Sequence, residues 1–425
     1  MSEPASGGAR AVARCDLLGL PPFSDMADGL FRAWLTPPFV ATQDAIAAWM
    51  IEAGMTVRID PATNLIGRYE GMSAMAPALL IGSHIDSVRD AGRYDGPLGV
   101  MLGIECVAAL NEAGKRLPFA IEVIAFGDEE GSRFPASMLT SRAVAGVLEP
   151  AALEVVDSDG VSLQDALHTS AAPASAGATG WEADFISAAR APASVFAYLE
   201  AHIEQGPALE AENLAVGVVT GIAAQCRYRL SIEGAAGHAG TSSMALRRDA
   251  LTAAAEIVLA AERVARAGTG DLVATIGRLD VLPGASNVIP GRVDFTLDVR
   301  ALDPAVRDAA AALILVEAGK IALGREVGLA VEQVNDLPAS PCDPALMDLL
   351  SAAMAAEGQP ERRLASGAGH DAMVMAALCP TAMLFIRCAG GISHNPAERV
   401  DPADVEIARR VMLGFIDRLG ARFDV

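Results

Sequence analysis

The 425-residue chain holds 53 acidic against 32 basic residues, a formal charge of −21, on a background that is 52% hydrophobic. That length and balance describe a globular protein of two or three domains with a large core. The acidity excludes nucleic acid and anionic membrane as partners, since both attract basic faces.

The opening MSEPASGGARAVAR lacks the apolar core of a signal peptide, and no apolar run reaches membrane-spanning length. Cys15, Cys106, Cys226, Cys342, Cys379 and Cys388 have no paired spacing and read as reduced core residues of a cytoplasmic protein. Gln43–Ala53 is expected to be an amphipathic helix with Thr42 as its N-cap and Gly54 beyond its end. Extended segments follow at Val57–Ile59 and Leu65–Tyr69. Ala78–Ile81 is a short apolar run ending in a polar cluster, as a buried strand delivers residues to a site. Leu98–Glu112 reads as a helix, and Ile121–Ala125 as a second buried strand running into GDEEGSRF. This alternation predicts an α/β layer with helices packed on a sheet.

The small-residue stretch Ala171–Gly180 reads as a surface loop. Near Val219 the pattern changes to strand (Cys226–Ile232), long helix (Ala245–Ala267), strand (Val273–Leu279), strand (Val293–Arg300), helix (Pro304–Ala322) and strand (Leu329–Val334). That is a smaller αβ sandwich inserted into the first domain. The expected division is therefore 1–218 and 336–425 for a discontinuous catalytic domain and 219–335 for the insert. A helix (Pro344–Ala355), an apolar strand (Met383–Ile386, after Pro380) and a last helix (Val405–Leu419) complete the chain, with no internal repeat.

Five of the six histidines lie in polar, glycine-rich segments beside strand signals: His84 in GSHIDS, His202 in EAHIEQGP, His238 in GAAGHAGTSS, His370 in SGAGHDA and His394 in GISHNPAE. His168 has no such company. One histidine at a strand end is usually a structural hydrogen-bonder, but five beside carboxylates on loops point to a site. In the H-x-D pair, Asp86 can bond the imidazole nitrogen of His84 that is turned away from a metal and so fix its tautomer. Asp95, in AGRYDGPLG, reads first as part of a turn before the next helix. Its carboxylate could also bridge two cations, because each oxygen has its own lone pairs. The adjacent acids Asp128, Glu129 and Glu130 would repel one another in a buried site and need cations there. An exposed acidic loop is the alternative, against which Arg133 and Phe134 argue.

Taken in order, GSHIDS, YDG, DEEGSRF, HIEQGP, GHAGT, SNVIP, DVR, SGAGHDA and ISHNPAE resemble the dinuclear metallo-amidohydrolases related to aminoacylases and carboxypeptidases. Within that group the chain is most similar to allantoate amidohydrolases and N-carbamoyl-L-amino-acid hydrolases, from roughly Asp44 to the C-terminus. The resemblance implies a zinc-exopeptidase-like catalytic domain, with a mixed central sheet flanked by helices, and an inserted lid or dimerisation domain. It implies two divalent ions, zinc or manganese. His84, Asp95 and His202 would bind one and Asp95, Glu130 and His394 the other, with Asp95 as the bridge. Glu129 would be the general base and Asp86 the partner of His84. A homodimer through the insert is implied as well, since the family's counterpart of His238 can reach the site from a partner subunit.

On the substrate side, His238 is the candidate donor to an oxyanion, and the guanidinium fork of Arg300 suits a carboxylate. The resemblance adds Gln205 and Asn287 as polar contacts and Gly367, Ala368 and Gly369 as backbone close to the ligand. The role of His370 stays open between a loop-orienting residue and a contact. Ala91 and Ser243 depart from the family's usual glycine and proline, which bears on loop shape and removes no ligand. The resemblance implies hydrolysis of the ureido C–N bond of a small carboxylate, with allantoate ahead of N-carbamoyl-L-amino acids. A metallopeptidase or aminoacylase is the nearer alternative, and a non-catalytic binding protein on the same fold the more distant one.

Overall fold

The described residues form sixteen strands, in chain order: Thr56–Ile59 (β1), Leu65–Tyr69 (β2), Ala78–His84 (β3), Ala120–Phe126 (β4), Val195–Ile203 (β5), Val216–Ile222 (β6), Ala224–Glu233 (β7), Gly237–His238 (β8), Val273–Thr275 (β9), Leu279–Leu282 (β10), Val288–Ile289 (β11), Arg292–Ala301 (β12), Gly328–Leu337 (β13), Ser340–Pro341 (β14), Arg363–Ser366 (β15) and Thr381–Ile386 (β16). The computed structural model describes residues 6–170, 180–268 and 270–422. Residues 171–179 of the expected surface loop lie outside that range.

The chain divides into two compact units. The first comprises the residues up to Thr220, Cys342–Leu364 and those from Gly369 onward; the second comprises Gly221–Pro341 and Ala365–Ala368. The architecture is mixed α/β. In the larger sheet the order runs β1-β2-β4-β3-β5-β16-β6. Its centre is parallel, β3 pairing with both β4 and β5, and β16 with β5. Its flanks are antiparallel. Every residue of β3, β4 and β16 is buried, as expected of strands covered by helices on both faces. The helix Pro97–Glu112 packs so closely that a Cβ on Gly99 would lie 2.2 Å from the Ala201 carbonyl oxygen. Only glycine permits that approach.

In the second unit β7 is central, in the order β10-β12-β7-β13, all antiparallel. β12 alternates buried and less buried positions along its length, the mark of a sheet covered on one face. Val293, Phe295, Leu297 and Val299 meet Ala253, Ile257 and Ala261 of the helix Ala250–Ala267, and Ala311, Ile314 and Ala318 of the helix Pro304–Gly324.

Three local expectations are corrected. The helix expected at Gln43–Ala53 is Pro37–Glu52, so Thr42 lies inside it and bonds the Pro38 carbonyl instead of capping. Pro37 and Pro38 occupy first-turn positions, where a missing N–H costs nothing. The helix expected from Ala245 begins at Ala250, capped by the Asp249 side chain, which accepts from the Leu251 and Thr252 N–H groups. The single strand Val273–Leu279 is two, β9 and β10, both on β12 but with a one-residue slip in register between them. β5 was not anticipated: Glu200 and His202 break its apolar run in the sequence, yet both are buried.

Glu122 on β4 is buried between Arg68 (2.8 Å) and Arg190 (2.6 Å). Burial alone would raise its pKa, but Arg190, Arg68 and Arg58 outweigh it and hold the group below its usual 4.5. Glu122→Gln is expected to cost about 3 kcal/mol at neutral pH, because it leaves partly buried arginines unpaired. Because the folded-state pKa is depressed, this contribution is complete above the unfolded value and is lost as pH falls through the folded one. Urea midpoints of the two proteins should therefore differ at pH 7 and converge once the pH has fallen below the ordinary carboxylate range.

Candidate metal centre and active site

Parallel strands place their C-terminal ends along one edge of a sheet, where α/β proteins bind ligands. β3 ends on His84, which lies opposite Phe126, the last residue of β4. Two residues beyond Phe126 the acidic segment begins. Next in the sheet, β5 carries His202 near its end, opposite Phe385 of β16. Asp95 enters on the turn before the helix Pro97–Glu112, and His394 on the loop after β16.

These groups converge on the Asp95 carboxylate. His84 Nε2 and His202 Nε2 lie 3.5 and 3.1 Å from its Oδ1, and His394 Nε2 lies 3.2 Å from its Oδ2. Glu130 is 3.7 Å from His394 Nε2, and Glu129 is 3.9 Å from His84 Nε2. Two trios, His84–Asp95–His202 and Asp95–Glu130–His394, each bring their ligand atoms within 4.8 Å of one another and share only Asp95.

The hydrogen bonds behind the imidazoles test whether a cation fits. His84 Nδ1 lies 3.1 Å from the Asp86 carbonyl oxygen, and His202 Nδ1 lies 2.9 Å from that of Ile203. A carbonyl only accepts, so Nδ1 carries the proton in both rings. In the neutral tautomer, Nε2 then turns a lone pair toward Asp95. Lone pair facing carboxylate is repulsive unless a cation or a further proton lies between. Nitrogen and oxygen donors in this arrangement suit a divalent transition metal. In the metal-free protein the same repulsion is relieved by protons. Burial would lower His84, but Asp86, Asp95 and Glu129 hold it well above its usual value. His394 is pushed up to about 9, mainly by Asp95. Glu129 is raised far above the ordinary carboxylate range by burial and by Glu130, and Glu130 rises to about 7 through burial and Asp95.

Asp86 does more than was read from the H-x-D spacing. Its main-chain oxygen is the nearer partner of His84, while its carboxylate accepts the Glu129 and Glu130 N–H groups at 3.1 and 3.2 Å. It thereby sets the direction of both glutamates. Gln205, expected as a substrate contact, donates to Asp95 Oδ2 at 2.8 Å, beside the Ser393 hydroxyl at 2.6 Å. His370 is buried, with its ring 4.5 Å from that of His202. Gly369 belongs to the first unit, whereas Gly367 and Ala368 belong to the second.

The remaining expected residues also lie on the second unit. His238 sits on β8 opposite Val288, and the Ala239 N–H bonds the Asn287 carbonyl at 2.9 Å, so His238 and Asn287 are neighbours. Both are exposed. The Gly240 N–H donates to His238 Nδ1 at 3.0 Å. The neutral ring therefore carries its proton on Nε2, which suits a donor. Arg300 on β12 is engaged by Asp298 and by the Gly367 carbonyl.

The sequence profile of peptidase family M20/M25/M40 matches residues 80–418. An N-carbamoyl-L-amino acid amidohydrolase of Geobacillus stearothermophilus is 43% identical over 385 residues, covering 90% of this chain and 92% of that protein. A probable allantoate deiminase of Oryza sativa subsp. japonica is 42% identical over 439 residues, 95% of this chain and 87% of its own. Among solved structures, an amidase of the hydantoinase/carbamoylase family from Burkholderia multivorans superposes with a TM-score of 0.87 at 35% identity, over 97% of this chain and 98% of that one. The chain belongs to peptidase family M20/M25/M40. Its relatives are amidohydrolases, and like them it is a hydrolase acting on C–N bonds. The M20 family is metal-dependent, and the cluster around Asp95 is the candidate site for that metal. Among the described residues no helix is long and apolar enough to cross a membrane.

Sequence reasoning missed Glu398. Its Oε1 accepts the Tyr94 and Asp95 N–H groups at 2.8 and 3.2 Å, tying the His394 segment to the Asp95 turn. The carboxyl occupies space that a Cβ on Gly92 would fill, at 2.1 Å from Cδ. The available signal was its place four residues after His394 in HNPAE, behind a proline. Glu398→Ala is expected to weaken divalent-metal binding roughly 10- to 100-fold, the usual effect of losing a residue that orients a ligand. Competition against a chromogenic chelator measures it; an unchanged affinity would show that the Asp95 turn holds itself.

Proposed function

We propose that the protein hydrolyses the ureido C–N bond of a small carboxylate, with allantoate as the leading substrate and release of ammonia and carbon dioxide. The convergence of His84, His202, His394, Asp95 and Glu130, with Glu129 beside them, carries the reading. A ureido carbonyl is a poor electrophile because nitrogen lone pairs delocalise into it. Two divalent ions, zinc or manganese, would polarise that carbonyl and acidify water. His84 and His202 would hold one, His394 and Glu130 the other, and Asp95 both.

Glu129 takes the proton of the attacking water and returns it to the departing nitrogen. The N–H groups of Glu129 and Glu130, fixed on Asp86, keep that carboxylate directed at the site. His238, protonated on Nε2, donates to the developing oxyanion, and Asn287 adjoins it. Arg300 receives the substrate carboxylate, and the backbone at Gly367, Ala368 and Gly369 adjoins the ligand. For Gln205, the bond to Asp95 supports a role in steadying the bridge alongside any substrate contact. The family's use of a partner's histidine supports a homodimer through the inserted unit, and the six buried free cysteines support a cytoplasmic setting.

Allantoate is favoured by the Gly131–Pro135 run and by the likeness to an allantoate deiminase along 95% of the chain. A second reading, an N-carbamoyl-L-amino-acid hydrolase, is favoured by the Geobacillus protein at 43% identity. Ammonia release from allantoate and several N-carbamoyl-L-amino acids, read beside free amino acid released from an N-acetyl amino acid and a dipeptide, separates these readings, using protein stripped and then reloaded with manganese or zinc. Allantoate should be turned over fastest; cleavage of the acetyl or peptide substrate alone would move the protein to the aminoacylase or peptidase class. Glu129→Gln is expected to lower kcat at least ~100-fold, the scale of a lost general base. Metal content by elemental analysis should stay unchanged, and near-normal turnover would remove Glu129 from its role.

A further inference from the structure

The face of the second unit's sheet that its two helices leave uncovered carries a block of four residues. On β12 and β7, Asp298 lies directly opposite Arg227, and Arg300 opposite Gln225. All four side chains meet at one carboxylate. Asp298 Oδ1 accepts from Arg300 Nε at 2.8 Å. Its Oδ2 accepts from Arg300 Nη2 at 3.0 Å, Arg227 Nε at 2.7 Å and Gln225 Nε2 at 2.7 Å. Arg300 Nη1 donates to the Gly367 carbonyl. A guanidinium has five N–H donors. Three are spent inside the unit, and two remain.

Beside this block lies a cavity of about 530 Å³, lined in part by Arg227, Tyr228, Thr275, Thr296, Asp298 and Arg300. Its lining holds two arginines and one aspartate, a local surplus of positive charge in a chain whose formal charge is −21. A purely structural ion pair would need one cation, not two. Strand alternation puts the neighbours of Asp298, Leu297 and Val299, into the core on the other face, so the carboxylate supports no core packing of its own.

We propose that Asp298 is a positioning residue: it fixes the plane of the Arg300 guanidinium so that the two unused donors are presented as a fork to the substrate carboxylate. Gln225 and Arg227 hold Asp298 in turn, so that it cannot swing with its partner. This rests on the reading of Arg300 as the carboxylate receptor. A long arginine side chain without such a clamp loses rotamer freedom on binding, which weakens the complex without touching the chemistry. The signature is therefore in KM and confined to substrates that carry a carboxylate.

The test uses the metal-loaded full chain, a ureido acid that it turns over, and the matching carboxamide in which the carboxylate is neutral. Asp298→Asn should raise KM for the acid about 10-fold, the effect of one weakened charge-assisted contact, with kcat within about twofold and the carboxamide unaffected. Arg300→Ala should raise the same KM by more, and adding Asp298→Asn to it should change little, because the two act as one unit. Asp294→Asn, which breaks the Arg292–Asp294 pair and lies four residues before Asp298 on the same strand, is the structural control and should leave KM unchanged. If Arg300→Ala raises KM and Asp298→Asn does not, the positioning role is overturned and the carboxylate reading stands. If Arg300→Ala itself has no effect on KM, the underlying reading fails. Equal losses for acid and carboxamide, or a lowered melting temperature in Asp298→Asn alone, would make Asp298 a structural residue and overturn the proposal.

Discussion

One buried carboxylate governs the architecture of the first unit. Asp95 has three imidazole Nε2 atoms within 3.5 Å and is itself held well below the usual carboxylate range, the three histidines outweighing its burial. Around it stand Glu129, Glu130, Asp86 and Glu398, all mostly buried. So many acids in a dry strand-end pocket repel one another, and only protons or cations between them lower that energy. The surroundings answer this constraint. Backbone carbonyls fix the tautomers of His84 and His202, Asp86 orients the glutamates through their N–H groups, and Glu398 does the same for the turn of Asp95. Because ligands must shed protons to take up metal, the cluster couples metal affinity to pH and to folding.

The chemistry-bearing residues of this centre were legible in the sequence because they are rare and conspicuously placed. Histidines number six in the chain, and glycines accompany nearly all of those beside a carboxylate. What the sequence could not show is their convergence, which depends on the strand order β4-β3-β5-β16. That order brings His202 beside His84 although more than a hundred residues separate them. β5 itself was missed because Glu200 and His202 interrupt its apolar pattern. In the structure Glu200 is buried and satisfied by the Ser83 and Tyr198 hydroxyls and the Ala372 N–H. Glu398 escaped for the same reason. Acidic residues in a strongly acidic chain read by default as surface, and only the fold shows which are taken inside.

In the second unit the element types were legible, and the boundaries less so. The strict alternation of β12 announces a one-sided sheet, and the alanine-rich helices Ala250–Ala267 and Pro304–Gly324 supply the flat, small surface that can pack closely on it. The break between β9 and β10 left no apolar signal, because a one-residue slip changes which side chains face inward without changing composition. Gly367 and Ala368 are a further case. Expected within the 336–425 part of the catalytic domain, they fall in the second unit, where the Gly367 carbonyl bonds Arg300.

Under the proposed function the two units separate two physical tasks. The first concentrates negative charge to hold cations and to move a proton. An anionic substrate is repelled by such a site until the cations are in place, and by the chain's overall charge even then. Attraction for a carboxylate must therefore come from a local exception. The Asp298 block provides one, with two arginines around a single aspartate on a sheet face that no core packing claims. On the proposed function, substrate choice belongs to the sheet face that bears Arg300, and the bond-breaking step to the strand ends around Asp95.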